Sequence, residues 1–420
     1  MPPRLLFTKS ILTLTAVLVV SINSASAVSQ NTSLLASIST TPTFKQLMSG
    51  YRKNQPQQIT LSGFQQLHSA QQEQADSWIA GDVNLVVHHE NDALIDDNDT
   101  QNWQVGAEFP VWLPSQKQGA SELAEAYQSN FVIEQAYLNW LASGAIRELI
   151  WDYQTALADV KIAQQTLETS QKLFDSIETQ VRLGERPLMD SVLAEQTLLS
   201  HQSALIRQQS NLDIAKQAYQ KWTGYTALPQ SIIETPKETD LGQHPEVAKL
   251  QAQVTVSNVG LRQIESQQRG QPSLYLGAKQ DQIQSQTETS LVMEVAIPLG
   301  MDSSFAVKKA QQQLHIQQQR ATLQQAESNV VLKKQQIKQR LTQLQQGIEL
   351  TNQQLNLAEK ALDMSLKAYQ LGEVSVHNLL LVQQQAINAK REAVLARHQL
   401  GQTIANYNQI SGDILGATDR

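Results

Sequence analysis

The sequence predicts a mostly α-helical chain with a small β element, and three observations carry that prediction. The chain repeats itself at a fixed offset. Each copy holds a helical pattern far too long for a globular core. Each copy also holds a pair of short strands that are apolar on one face only.

The repeat organises the rest. Gly184-Glu185 recurs as Gly372-Glu373, Pro110 as Pro298 and Gly224 as Gly412, each 188 residues further on. Upstream, Gly81-Asp82-Val83-Asn84-Leu85 resembles Gly270-Gln271-Pro272-Ser273-Leu274 at an offset of 189. That one-residue change falls between the strands, where a surface loop tolerates an insertion. Residues 28–224 therefore read as a first repeat, with a helix, two strands within 82–110 and a long hairpin over 116–224. A linker, 225–242, leads to the second repeat, 243–412, with strands within 272–298 and a hairpin over 302–412; residues 413–420 form a tail.

The long helices show the strongest periodicity. Leu149, Tyr153, Ala156, Val160, Ala163, Leu167, Ser170, Phe174, Ile177 and Val181 are spaced alternately by four and three. The matching row in the second copy runs from Ile337 through Leu341, Leu344 and Ile348 to Leu362 and Tyr369. A 3.5-residue repeat sustained this far predicts coiled-coil packing. A helix from 116 to 183 would be about 100 Å long at 1.5 Å per residue. Each long helix stops at Leu-Gly, where glycine supplies the left-handed cap. Return helices follow from Pro187 to Trp222 and from Val376 to Ile410, about half as long as the outgoing ones. The helices before the strands, 58–79 and 245–268, have about the missing length, so end-to-end stacking is expected.

The strands have period two. Trp103, Val105, Ala107 and Phe109 alternate with Gln104, Gly106 and Glu108, and Leu291, Met293, Val295 and Ile297 alternate with Val292, Glu294 and Ala296. Pro110 and Pro298 end the pairing. The hairpin loops are polar, Asn91 to Thr100 with four aspartates and Gln282 to Thr289 rich in Gln, Ser and Thr. Short strands with one apolar and one polar face, and aromatics near their ends, are the pattern of a transmembrane β-barrel. A half-buried sheet in a soluble α+β protein is the alternative. Four strands cannot close a barrel, and an open edge is not viable in lipid, so the membrane reading requires more than one subunit.

Composition narrows the classes. Residues 1–27 read as a secretory signal peptide, with Arg4 and Lys9, an apolar stretch from Ile11 to Val20, and Ala25-Ser26-Ala27 as a small-residue cleavage site. Without it, 30 basic residues face 39 acidic ones, a net charge of −9 that gives no reason to expect nucleic-acid binding. Cysteine is absent, so no disulfide forms and no lipid-bearing cysteine follows the leader. No phosphate-binding loop, nucleophile elbow or paired catalytic acids appear, so no catalytic or cofactor-binding residue is assigned.

The duplicated unit, the Leu-Gly-Glu turns, Phe109-Pro110-Val111-Trp112-Leu113-Pro114 before a long helix, and Gln243-His244-Pro245-Glu246 opening the second copy resemble the TolC-type outer-membrane factors. The segment Trp112 to Lys117 resembles the branch that serves heavy-metal efflux. The resemblance implies a homotrimer in the outer membrane of a Gram-negative bacterium, with a 12-strand β-barrel continued by a 12-helix α-barrel across the periplasm. It implies an exit duct for a tripartite pump, whose partners are a periplasmic adaptor and an inner-membrane transporter. The adaptor would meet the hairpin tips, Leu183, Gly184 and Glu185 in one copy and Leu371, Gly372 and Glu373 in the other.

Some relatives carry two aspartates one turn apart after the second tip; here those positions are Asn378 and Leu381. The first-copy equivalent is Asp190, so Asp190, Asn378 and Leu381 are the candidate periplasmic gate. Asp190 also reads as an ordinary carboxylate at a helix start. His88-His89 invites a metal reading, but adjacent strand residues point to opposite faces and one subunit cannot use both for one ion. No metal ligand is assigned. Trp103 and Trp112 are expected at the membrane interface, with packing at a strand–helix junction as the alternative. A secreted structural coiled-coil protein is the competing functional class. A periplasmic adaptor would carry one hairpin among many strands, not two hairpins with few.

Overall fold

A computed structural model describes residues 41–91, 100–283, 286–300 and 304–416. The predicted leader and the aspartate-rich stretch 92–99 lie outside the described residues. Helices α1 (Phe44–Asn54) and α2 (Gln58–Asp76) precede strands β1 (Asn84–Asn91) and β2 (Thr100–Pro110), then α3 (Pro114–Arg182) and α4 (Leu188–Thr223). The second half runs α5 (Pro245–Ser266), β3 (Ser273–Ile283), β4 (Gln286–Ala296), α6 (Ser304–Gln370) and α7 (Val376–Ile410). The chain is thus mostly helical with one four-stranded sheet.

Local chemistry sets the helix ends. α3 begins at Pro114, and Gln116 Oε1 accepts the Leu113 N–H at 3.1 Å. It ends at Gly184 (φ 77°), where the Glu185 N–H reaches Gln180 O and the Gly184 N–H reaches Val181 O, both at 2.9 Å. This double bond to the last turn is the Schellman cap. The same cap recurs at Gly372, with Glu373 on Ala368 O and Gly372 on Tyr369 O. α7 starts on Ser375, whose Oγ accepts the Asn378 N–H.

α1 is a helix that the sequence reading did not separate. Thr43 and Gln46 form a reciprocal capping box, and the helix buries Leu47 and Met48. These pack with Ala142, Ile146, Ile150, Tyr153 and Tyr219 in the largest apolar core among the described residues. α2 and α4 both lie against α3, while α5 and α7 both lie against α6. Gly412 (φ 90°), just past α7, sits against His244 and Pro245, which open α5, so these two helices abut end to end.

Beside that junction lies a buried ionic cluster. Arg147, 2 % exposed, donates from Nε and Nη2 to Glu234 at 2.9 and 2.8 Å, and from Nη2 to Asp413 Oδ2 at 2.7 Å. Nη1 reaches Gln409 Oε1 and Asp413 O. Asn408 donates to Glu234 and accepts the Lys237 N–H, and the Lys237 ammonium holds Asp413 at 3.0 Å. One side chain of α3 therefore ties the linker between the repeats to the end of α7.

Candidate functional site

The sheet is antiparallel in the order β1-β2-β3-β4, with all four strands in continuous register. Register decides what each face contains. Val87 lies opposite Val105, Val105 opposite Ala278, and Ala278 opposite Leu291, so one row of apolar residues crosses all four strands at mid-height. The rows nearer the helices add Leu85, Ala107, Leu276 and Met293, then Phe109, Leu274 and Val295. Among the described residues nothing covers most of this face: Leu291 is 92 % exposed, Leu85 76 % and Met293 70 %. The opposite face carries His88, Gln104, Lys279 and Ser290 in one row, and Glu90, Asn102, Asp281 and Glu288 in the next. Lys279 pairs with Asp281 at 2.9 Å. Among the described residues, β1 and β4 each pair on one side only. β1 runs away from the helices and β4 returns towards them, so a β4 edge meeting a β1 edge of another copy would continue the antiparallel pattern.

The histidine pair divides between the faces. His89 falls on the apolar face, stacked on Trp103 at a centroid distance of 4.0 Å, with Nδ1 3.1 Å from Asn102 O. His88 falls on the polar face. Among the described residues, no group of three side chains could hold a metal. Trp103 is half-exposed on the apolar face. Trp112 lies beyond the strand end, where its indole N–H donates to Ser77 O at 3.1 Å and its ring rests on the cluster of Ala75, Ala120 and Ala124.

At the other end the two hairpin tips are joined. Ile177, Ala194, Tyr369, Val376 and Leu379 form a shared apolar core. Above it, the Arg186 guanidinium lies 4.4 Å from the centre of the Tyr369 ring, and its Nη2 donates to Tyr369 O at 2.5 Å. The Tyr369 hydroxyl donates to Gln180 Oε1 at 3.2 Å. Burial raises the pKa of this phenol; Arg186 opposes that shift and Asp190 adds to it. Asp190 thus sits within electrostatic reach of the Arg186–Tyr369 contact, half-buried in the first turn of α4, with its N–H on Pro187 O. Asn378 and Leu381 are exposed on α7. Leu183, Leu188, Met189 and Leu371 stand more than 60 % exposed around the tips. Tyr369 appears in the heptad row, but its partner Arg186 could not be inferred, because the contact spans two repeats.

The chain is thus two paired helical hairpins carrying a four-stranded sheet that is apolar on one side. No protein-family model matches the chain, and a search of curated proteins found no relative. Solved structures do match. CusC, described in terms of transmembrane channel formation, superposes with a TM-score of 0.71 at 16 % identity, over 90 % of this chain and 93 % of its own. The outer membrane protein VceC of Vibrio cholerae gives 0.69 at 14 %, over 88 % and 96 %. The MtrE outer membrane channel of Neisseria gonorrhoeae, in its open state, gives 0.67 at 14 %, over 89 % and 88 %. The chain has the fold of these outer-membrane channels.

Proposed function

We propose that the protein is the outer-membrane channel of a tripartite efflux pump in a Gram-negative bacterium, passively conducting metal ions, drugs or other small molecules outward. The observation that supports this most is the apolar row Val87–Val105–Ala278–Leu291, uncovered and at mid-height on a sheet with two free edges. Exposed apolar surface of this extent is placed against lipid. Three copies joined edge to edge form a 12-strand barrel, with the paired hairpins as a 12-helix stalk in the periplasm. Trp103 and Trp112 then lie towards the two ends of the membrane-spanning wall. The tips bind a periplasmic adaptor through Leu183 to Glu185 and Leu371 to Glu373, and an inner-membrane transporter supplies energy and selects cargo. Asp190, Asn378 and Leu381 line the periplasmic entrance. The protein performs no catalysis.

Paired substitutions test the lipid assignment. Leu291→Arg places a charge at the middle of the apolar face, where lipid would make it cost about 2–4 kcal/mol. His88→Arg places the same group near mid-height on the polar face. Loss of membrane-inserted oligomer for Leu291→Arg, with His88→Arg assembling normally, is the expected result. Equal tolerance of both, with recovery as a soluble protein, would instead support the structural coiled-coil reading.

A further inference from the structure

The polar face of the sheet has one bulky side chain that does not stand up from it. Tyr275 is only 6 % exposed, although it sits on the face that carries Glu108 and Glu294 beside it in register. Its ring runs along β3 over a pair of glycines, Gly106 and Gly277, which lie directly opposite each other on β2 and β3. A Cβ on Gly106 would come 2.6 Å from Tyr275 Cζ. One on Gly277 would come 2.7 Å from the same atom and would overlap the hydroxyl. The two residues without side chains therefore form a recess the size of a phenol. Glycine within a strand commonly marks such a close approach, and an aromatic laid over strand glycines is a recurrent device in barrels. The phenol hydroxyl is buried and, among the described residues, has no hydrogen-bond partner. Shape, not a hydrogen bond, holds the ring down.

We propose that Gly106 and Gly277 set the bore of the channel at its helix-proximal end by giving Tyr275 a recess to lie in. The inference rests on the reading above, in which the polar face lines the lumen. With the recess present, each subunit keeps its ring flat against the wall. With the recess filled, each subunit would swing a phenol into the pore at the same height, and the passage of bulky solutes would be cut before that of small ones. The glycines are specificity-determining through the tyrosine they accommodate.

The chain has no cysteine, so a single reporter thiol is clean. Ala296→Cys places one on the same face, in the row opposite Ser273, one row nearer the helices than Tyr275. Whole cells are treated from outside with a small maleimide and with a polymer-linked maleimide. Failure of even the small reagent to reach Cys at 296 in the otherwise unaltered protein would defeat the lumen assignment itself. Given labelling by both, Gly277→Ala should slow the polymer reagent about tenfold while leaving the small one unchanged, since thiol reactivity here is governed by access. Adding Tyr275→Ala should restore the polymer rate. Unchanged polymer labelling in Gly277→Ala overturns the proposal. So does slowing that persists after Tyr275 is removed, because backbone distortion would then be the cause: the new Cβ also lies 2.7 Å from Val105 O. Should Gly277→Ala not assemble, Tyr275→Trp keeps both glycines and presents a ring too large for the recess. It should slow the polymer reagent likewise, and normal labelling would refute the inference.

Discussion

Replacing Arg147 by methionine keeps the volume of the side chain near the main apolar core and deletes the charge that two carboxylates share. In the folded chain Glu234 would keep the Asn408 amide at 2.9 Å, and Asp413 would keep the Lys237 ammonium at 3.0 Å. Both acids are 11 % exposed, so neither can be rehydrated without opening the junction. Removing one partner of a buried ion pair costs about 3–5 kcal/mol. The surviving contacts place Arg147→Met at the lower end, about 3 kcal/mol, which corresponds to a urea midpoint lowered by about 1 M or less for a chain of this size, since the denaturant slope grows with the surface exposed. The measurement is helix loss by circular dichroism in detergent, at one fixed protein concentration, because the proposed assembly would make the midpoint concentration-dependent. The triple variant Arg147→Met, Glu234→Gln, Asp413→Asn removes the stranded charges and should regain part of the loss. A single variant within about 1 kcal/mol of the parent, or a triple variant worse than the single, would falsify the charge-stranding account.

Two further outcomes are expected. Burial pushes the His244 imidazole down to about 4, while the unfolded chain takes up that proton near 6.5. Between those values the unfolded state binds more protons, so stability falls as pH drops from 6.5 towards 4, by something on the order of 2–3 kcal/mol. His244→Asn keeps an acceptor for the Glu246 N–H and should flatten the dependence; an identical pH profile would exclude His244 as its source. At the tips, Arg186→Gln removes the contact with the Tyr369 ring and the hydrogen bond to Tyr369 O, together worth about 1–2 kcal/mol. Its open-state conductance events in planar bilayers should become more frequent, and unchanged gating would show that this tie does not hold the entrance.

The parts of the fold visible in the sequence are those governed by local periodicity. The 3.5-residue rows mark α3 and α6, and the Leu-Gly stops coincide with left-handed glycines at 184 and 372. Period-two alternation at 103–109 and 291–297 separates the faces of the sheet correctly, because register follows once strands pair in order. The features that the sequence does not display depend on long-range encounter. α1 carries only one buried pair, Leu47 and Met48, too short a stretch to show a period, although its Thr43–Gln46 capping box was readable. The Arg147 cluster joins residues 87 and 266 positions apart, and Arg186 meets Tyr369 across 183. The alternation of Tyr275 with Leu274 and Leu276 assigns it a face, but only the pairing of two glycines across strands shows that the ring lies down.

The two free edges of the sheet have a genetic consequence. β1 and β4 are different sequences, so in the proposed ring each copy would offer one edge and accept at the other, and the contact would be head-to-tail. A copy whose β1 carried proline at a donating position could still join through β4, yet would leave its other side unsealed. One such copy would spoil the whole of the proposed ring. In a three-membered ring assembled from equal amounts of sound and blocked chains, only about one ring in eight would be free of the defect. An allele of that kind would therefore be dominant, whereas an allele that prevents β4 and β1 alike from pairing would drop out of assembly and be recessive.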